Sequence, residues 1–450
     1  MTVDLEAWIK ERRITEVECL VPDMAGIPRG KILPADKFLH GWREGGHRLP
    51  ESVFAQTVTG EYPWLPTDIL DPADIDVQMR PDAETVRMVP WYPEPTAQVI
   101  CDCHYADDEP VGVAPRQVLH RVVELFRAEG WEPVVAPEVE FFLVKVNTDP
   151  DYPLEPPIGR SGRPETGRQA FGVDAVNEFD PLFEDLYDYC DAQQIDVDTL
   201  NHEAGAAQME INFRHGDPVS LADQVFLFKR TLRQTAIRHN VYATFMAKPL
   251  QHEPGSAMHI HQSVLGRDGR NLFSNPEGGE SPAFHHYIGG LQKFAGAVMP
   301  LIAPNVNSYR RLSPYAGETP INVQWGRENR TCGLRVPHSD PANRRLEYRL
   351  PGADANPYLA MAATLVCGYL GLKAKVAPLT EPLTGSAYKL PIDLPLHLID
   401  ALRTMETTPD LADALGESFI KMLVAVKNEE YGTYQRVISS WEREFLLLNV

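Results

Sequence analysis

Three short stretches of the chain alternate polar and apolar side chains: Ala136-Pro-Glu-Val-Glu-Phe-Phe142, Gly255-Ser-Ala-Met-His-Ile-His-Gln-Ser263 and Arg344-Arg-Leu-Glu-Tyr-Arg349. That is the two-residue period of a strand with one dry and one wet face. On it Glu138 and Glu140 share a face, as do His259, His261 and Ser263, and as do Arg345, Glu347 and Arg349. Ahead of these, the pattern predicts a short helix over 4–13, strands over 16–21 and 98–103, and a turn over 23–30. Residues 115–129 predict a helix: Pro115 opens it, Gly130 follows it, and Val118, Leu119, Val122, Leu125 and Phe126 make one apolar face. Further helices are expected at 180–195, 219–239, 282–303, 355–374 and 394–412, with a last helical stretch over 414–447. The Pro-, Gly- and Arg-rich segment 153–172 reads as a long ordered loop. A chain of 450 residues exceeds a single hydrophobic core, so two domains are expected, a small strand-rich one over 1–110 and a larger one over 111–450. Strands interleaved with helices make the fold class α+β.

Composition narrows the function. A net charge of -21 leaves no basic stripe to neutralise phosphates, which argues against nucleic-acid binding. The same charge suits a cationic substrate, or serves solubility alone. The six cysteines (19, 101, 103, 190, 332 and 367) have no framework spacing, and Cys101-Asp-Cys103 lacks a second pair for zinc, so core thiols are expected. The longest apolar run, Leu359 to Leu372, is too short and too rich in Ala and Gly to span a bilayer. The opening Met-Thr-Val-Asp-Leu-Glu lacks the apolar core of a signal peptide, and a reduced cytoplasm is the expected setting.

The alternating faces carry the candidate chemistry. Glu203 and Glu210, in Asn201-His-Glu-Ala-Gly-Ala-Ala-Gln-Met-Glu-Ile211, add two more carboxylates. Their spacing puts them on opposite faces of a straight strand, and Gly205-Ala-Ala between them predicts a turn or bulge that restores convergence. Taken singly these residues have plainer readings. Glu138 and Glu140 suit the wet face of an edge strand, His259 a satisfied core histidine, and Arg345-Leu-Glu-Tyr-Arg349 an ion-pair ladder. Like charges on half-buried strands are costly unless cations compensate them. Glutamates with one imidazole are hard, mostly oxygen ligands, suited to magnesium or manganese rather than zinc or copper. Together they read as a divalent-metal cluster.

Pro137-Glu-x-Glu-Phe-Phe142, Met258-His-x-His-x-Ser263, Asn307-Ser-Tyr-Arg-Arg-Leu-Ser-Pro314 leading to Gly317-Glu-Thr-Pro320, and Arg345-x-Glu-x-Arg349-x-Pro351-x-x-x-Ala-Asn-Pro357 resemble, in order, the signature segments of the glutamine synthetase superfamily. The resemblance covers roughly residues 15 to 447. It implies an N-terminal β-grasp domain and a catalytic domain with a funnel-shaped site. It also implies a homo-oligomer, a dodecamer of two hexameric rings. By resemblance Glu140, Glu203 and Glu210 hold one Mg2+ or Mn2+, and Glu138, His259 and Glu347 a second. Gly255, Arg311 and Arg349 match the L-glutamate site; His261, Ser263, Arg330, Arg335 and Arg345 match ATP contacts. Arg330 and Arg335 double as catalytic residues, and Glu318 matches a flap residue that shields the acyl phosphate and takes a proton from the amine.

One segment departs from the family. Glutamine synthetases carry Phe-Asp-Gly-Ser-Ser in the first domain, where this chain reads Val53-Phe-Ala-Gln-Thr-Val-Thr-Gly-Glu-Tyr62, with no aspartate at the ammonium position. The stretches 157–168, 177–181 and 210–217 are instead similar to the γ-glutamylpolyamine synthetases. The expectation is an ATP-dependent ligase that joins the γ-carboxylate of L-glutamate to a primary amine, a polyamine such as putrescine, spermidine or spermine, in polyamine catabolism. The competing readings are a glutamine synthetase using ammonia and a non-catalytic member of the superfamily.

Overall fold

The computed structural model describes residues 3–167, 169–315 and 319–450, and among these two sheets organise the chain. The first is built from β1 (Glu16–Pro22), β2 (Pro28–Pro34), β3 (Arg48–Pro50), β4 (Asp76–Pro81), β5 (Arg87–Met88) and β6 (Thr96–His104). Its order is β2-β1-β6-β4-β3, with β5 also on β6, and its central pair β1 and β6 runs parallel. Gly30 in β2 has φ +147, and a Cβ there would lie 1.7 Å from the Cys19 carbonyl oxygen across the hairpin. Gly30→Ala is therefore expected to cost at least about 1–3 kcal/mol in strained backbone alone, read as a lower urea midpoint; an unchanged midpoint would refute this account of the hairpin.

The second sheet joins β7 (Glu132–Lys145), β8 (Val197–His202), β9 (Gln208–Phe213), β10 (Val241–Thr244), β11 (Met258–Leu265), β12 (Trp325–Arg327), β13 (Leu334–Val336) and β14 (Leu346–Tyr348). Its order is β12-β13-β14-β11-β7-β9-β8, and β10 pairs with the far end of β7. One face is dry: Val139, Phe141, Met209, Ile211, Met258, Ile260, Leu346 and Tyr348 are all buried. Helices Pro115–Glu129, Pro218–Arg238, Pro282–Ile302 and Pro357–Ala374 cover the core side. The last two come close enough that a Cβ on Gly290 would sit 2.2 Å from the Cys367 carbonyl oxygen, so small residues set their spacing.

Charge clamps the first sheet to the helices packed on the second. Arg116 is buried and donates to Asp102 (2.7 Å), Asp82 (2.7 Å) and both oxygens of Asp223 (3.0 and 2.9 Å). Asn356 caps the helix that follows it and donates to the Asp23 carbonyl oxygen at 2.8 Å.

The helix over 115–129 forms as expected. The helix expected over 394–412 is two, Leu398–Glu406 and Pro409–Leu415, because Pro409 has no N–H and clashes with the preceding turn, so it can only begin a helix. The stretch expected over 414–447 is likewise split, into Glu417–Gln435 and Ser440–Leu446, where Ser439 and Glu442 form a capping box. All six cysteines are buried and free, as expected of core thiols. No helix among the described residues is long and apolar enough to cross a membrane.

Candidate active site

Strand register gathers the polar residues on the face opposite the core. Glu138 of β7 lies opposite His259 of β11 on one side and Asn212 of β9 on the other. Glu140 lies opposite Glu210, and Glu347 of β14 opposite both His261 and Arg335. Glu203 arrives from the β8–β9 hairpin: its N–H donates to the Gln208 carbonyl oxygen (2.8 Å), and Ala207 takes φ 55 to close the turn. The expected turn is thus what restores convergence.

The ligand atoms of Glu140, Glu203 and Glu210 all lie within 4.8 Å of one another, as do those of Glu138, Glu210 and His259 and those of Glu138, His261 and Glu347. The first trio is the expected first ligand set. The second expected set is close as well: His259 Nδ1 stands 3.6 Å from Glu138 and 3.9 Å from Glu347. His261 also enters the cluster. Arg345 Nε donates to its Nδ1 (3.2 Å), so its Nε2 carries the proton and donates to Glu138 at 2.8 Å.

Electrostatics divides the cluster in two. Burial and Coulomb repulsion from Glu203 push Glu140 up to about 8. Burial and the neighbouring carboxylates push Glu210 up to about 10, and burial raises Glu203. Burial also lifts Glu138, but the two imidazoles beside it, His259 and the hydrogen-bonded His261, overcome it and hold the group well below the usual carboxylate range. Glu347 is lowered to about 2, because Arg349, His259 and His261 outweigh burial. Burial, aided by Arg349, lowers His259 to about 4, leaving a neutral ring whose Nδ1 is buried with no hydrogen-bond partner among the described residues. Three carboxylates held together against repulsion, beside an unpartnered imidazole nitrogen, fit divalent cations of the magnesium or manganese type.

Arginines rim the other side. Arg335 Nη1 donates to Glu347 at 2.6 Å, and Arg349 donates to its other oxygen. The Nε–H groups of Arg335 and Arg349 are buried without a partner among the described residues, two unused donors of the kind that suits an anion. Arg311 is buried and donates to the carbonyl oxygens of Leu350 (2.8 Å) and Arg349 (3.0 Å). Gly255 is tight against it: a Cβ there would lie 2.6 Å from Arg311 Cγ. Tyr388 lies close enough to bias the charge of Arg311 and Arg349, a position its sequence context does not reveal.

Behind the cluster opens a cleft of about 720 Å³, lined by Glu138, His261, Ser263 and Arg345 among others. Three of the expected ATP contacts therefore share one cleft. Arg335 does not line it but sits at Glu347, and Arg330 is exposed. Glu318 and Gly317 lie outside the described residues, as does Arg168.

Sequence reasoning missed several neighbours. Gln208 Nε2 reaches Glu140 (3.3 Å) and the Gly255 carbonyl oxygen (3.0 Å), and Asn201 Nδ2 reaches Glu203 (3.2 Å). Asn212 and Arg214 follow Glu210 at strand period, a signal that was available. Asp198, His215, His338 and Asp340 also line the cleft, but from a sheet margin and loops with no local signature. Trp325 is packing: it is buried, and its Nε1–H donates to the Thr380 carbonyl oxygen at 2.8 Å.

Known proteins share this architecture. Residues 112–446 match the family described as glutamine synthetase, catalytic domain. γ-Glutamylputrescine synthetase PuuA of Escherichia coli (strain K12) is 36% identical over 444 residues, covering 96% of this chain and 92% of the relative. Glutamine synthetase of Pyrococcus abyssi (strain GE5 / Orsay) is 33% identical over 426 residues, covering 93% and 90%. Among solved structures, GmaS without ligand matches with a TM-score of 0.84 at 28% identity over the whole of both chains. A GmaS/ADP complex matches with a TM-score of 0.84 at 29% identity, covering 99% of this chain and all of the other.

Proposed function

The chain belongs to the glutamine synthetase family and is a ligase, and from that premise we propose that it joins the γ-carboxylate of L-glutamate to a polyamine at the expense of ATP. A carboxylate is a poor electrophile, so it is first phosphorylated; the amine then attacks the γ-glutamyl phosphate and phosphate leaves. The observation that carries this reading is the junction at Glu347. There a crowded carboxylate cluster meets two guanidiniums with unused buried donors, in front of a cleft large enough for a nucleotide. Glu140, Glu203 and Glu210 would hold one divalent ion, and Glu138, His259 and Glu347 another. When bound, such ions neutralise charge on the phosphoryl group in flight.

The residues of the chain do the rest. Arg311 and Arg349 hold the α-carboxylate of glutamate, with Gly255 leaving room for it. Arg330 and Arg335 balance charge on the phosphoryl group, and His261, Ser263 and Arg345 orient the nucleotide. Glu318 accepts a proton from the attacking amine. The assembly in this reading is a cytoplasmic homo-oligomer, a dodecamer of two hexameric rings, whose domains are 1–110 and 111–450.

Two observations support a polyamine as acceptor. The E. coli relative carries a putrescine-ligase name at 36% identity across nearly the whole chain. The loop 56–60 offers Gln, Thr, Val, Thr and Gly where the family's ammonium aspartate is expected. The Pyrococcus relative named glutamine synthetase favours ammonia as the second reading. Phosphate release with L-glutamate, ATP and Mg2+ across ammonium, methylamine, ethanolamine, putrescine, cadaverine, spermidine and spermine decides between them. Turnover is expected with di- or polyamines and to be at least about tenfold lower with ammonium. Turnover with ammonium alone would establish the second reading, and none with any amine would leave a non-catalytic member.

A further inference from the structure

The loop 349–356 carries Arg349 out of β14 and leads into the helix Pro357–Ala374. Its backbone is held at almost every step. Arg311 takes the carbonyl oxygens of Arg349 and Leu350, the Met258 N–H donates to the Pro351 carbonyl oxygen (2.9 Å), and the Gly352 N–H donates to that of Ile302 (2.8 Å). The carbonyl oxygens of Ala353 and Ala355 accept from a single group, Lys229 Nζ, at 2.6 and 2.8 Å.

Lys229 projects from the helix Pro218–Arg238 and is buried. No carboxylate forms an ion pair with it among the described residues; its Nζ instead lies 5.4 Å from the Phe245 ring centroid, a ring that Arg233 also covers. Burying an ammonium with no carboxylate in direct contact costs stability, and an apolar residue of similar length would fill the space more favourably. Burial lowers this amine to about 7. What the ammonium supplies, and a hydrocarbon cannot, is a simultaneous grip on two carbonyls flanking Asp354.

Asp354 is the link onward. Its Oδ2 accepts from Ser308 Oγ (2.6 Å) and Asn305 Nδ2 (2.8 Å), and Ser308 begins the short helix Ser308–Arg311. Lys229 therefore fixes the turn that positions Arg311 through Asp354 and Arg349 through the chain itself. We infer that Lys229 is a positioning residue for the two arginines that grip glutamate, acting from the far side of the sheet without touching substrate. The inference rests on the glutamate-ligase reading of the site.

The test is steady-state kinetics of the full-length protein with Lys229→Met, and with Lys229→Gln, which keeps an amide donor. Misplacing a binding group by about an ångström costs on the order of 10²-fold at most. For Lys229→Met the KM for L-glutamate is expected to rise about tenfold, with the KM for ATP within about twofold, because other strands line the nucleotide cleft. Lys229→Gln should recover part of the loss. A fall in the thermal midpoint with both KM values unchanged would mean a structural role only and would overturn the inference. So would equal rises in both KM values. Absence of glutamate-dependent turnover in the unaltered protein would instead overturn the ligase reading, and this inference with it.

Discussion

Glu210→Gln is expected to lower turnover by about 10³-fold while making the metal-free protein more resistant to heat. The two effects have one cause. Glu210 is buried opposite Glu140 and close to Glu203, and repulsion with burial raises it to about 10 and Glu140 to about 8. A carboxyl whose folded value lies above its unfolded value, about 4.5, holds a proton in the native state that the unfolded chain has released. Its contribution to stability is therefore full below about 4.5 and is lost as pH rises towards the folded value. The metal-free protein should lose thermal midpoint between about pH 5 and 9, and Glu210→Gln should lose less. With Mn2+ at about a hundred times its dissociation constant, the unaltered protein should gain about 2.7 kcal/mol and the variant much less. Thermal scans at several pH values, with and without Mn2+, read all of this. Parallel curves for the two proteins would sink the electrostatic account.

Arg349→Leu should cut kcat/KM for L-glutamate by about 10³-fold and destabilise the fold as well. Its guanidinium donates to Glu347, which is 1% exposed and is lowered to about 2 by that neighbour and the two histidines. Removing one partner of a buried pair costs about 3–5 kcal/mol. Here the lower end is expected, because Arg335 still holds the other oxygen at 2.6 Å. The pH sign is opposite to that of Glu210. A carboxyl lowered in the fold contributes stability above about 4.5 and loses it as pH falls towards 2. The variant should therefore begin acid unfolding at higher pH. Arg349→Lys should restore part of the stability but little of the activity, since a point charge cannot replace a two-pronged donor. Urea midpoints and glutamate kinetics on the same samples test both parts; a stable, inactive Arg349→Leu would mean that Arg335 alone satisfies Glu347.

Much of this site was legible because strands translate sequence parity directly into space. The faces bearing Glu138 and Glu140, His259 and His261, and Glu347 were readable at a period of two, and pairing register then placed them side by side. Glu203 was legible only through the Gly205-Ala-Ala turn. The helix over 115–129 is readable to the residue from its proline, its apolar face and its glycine, whereas at Pro409 the apolar periodicity runs on past a proline that in the fold divides it into two helices.

Side-chain chemistry and local pattern alone determined that this is an α+β chain with a cluster of carboxylates on strands and arginines beside it. The tertiary structure decided what those groups do to one another. Adjacent glutamates separate into a repelled set that gathers protons and an ionised set held by histidines and arginines, because burial and distance set the field and neither is written in a period of two. It likewise decided that His261 bridges the cleft to the cluster, and that Lys229, more than a hundred residues away along the chain, braces the loop of Arg349. Such contacts form only when distant strands and helices pack, and no local spacing encodes them.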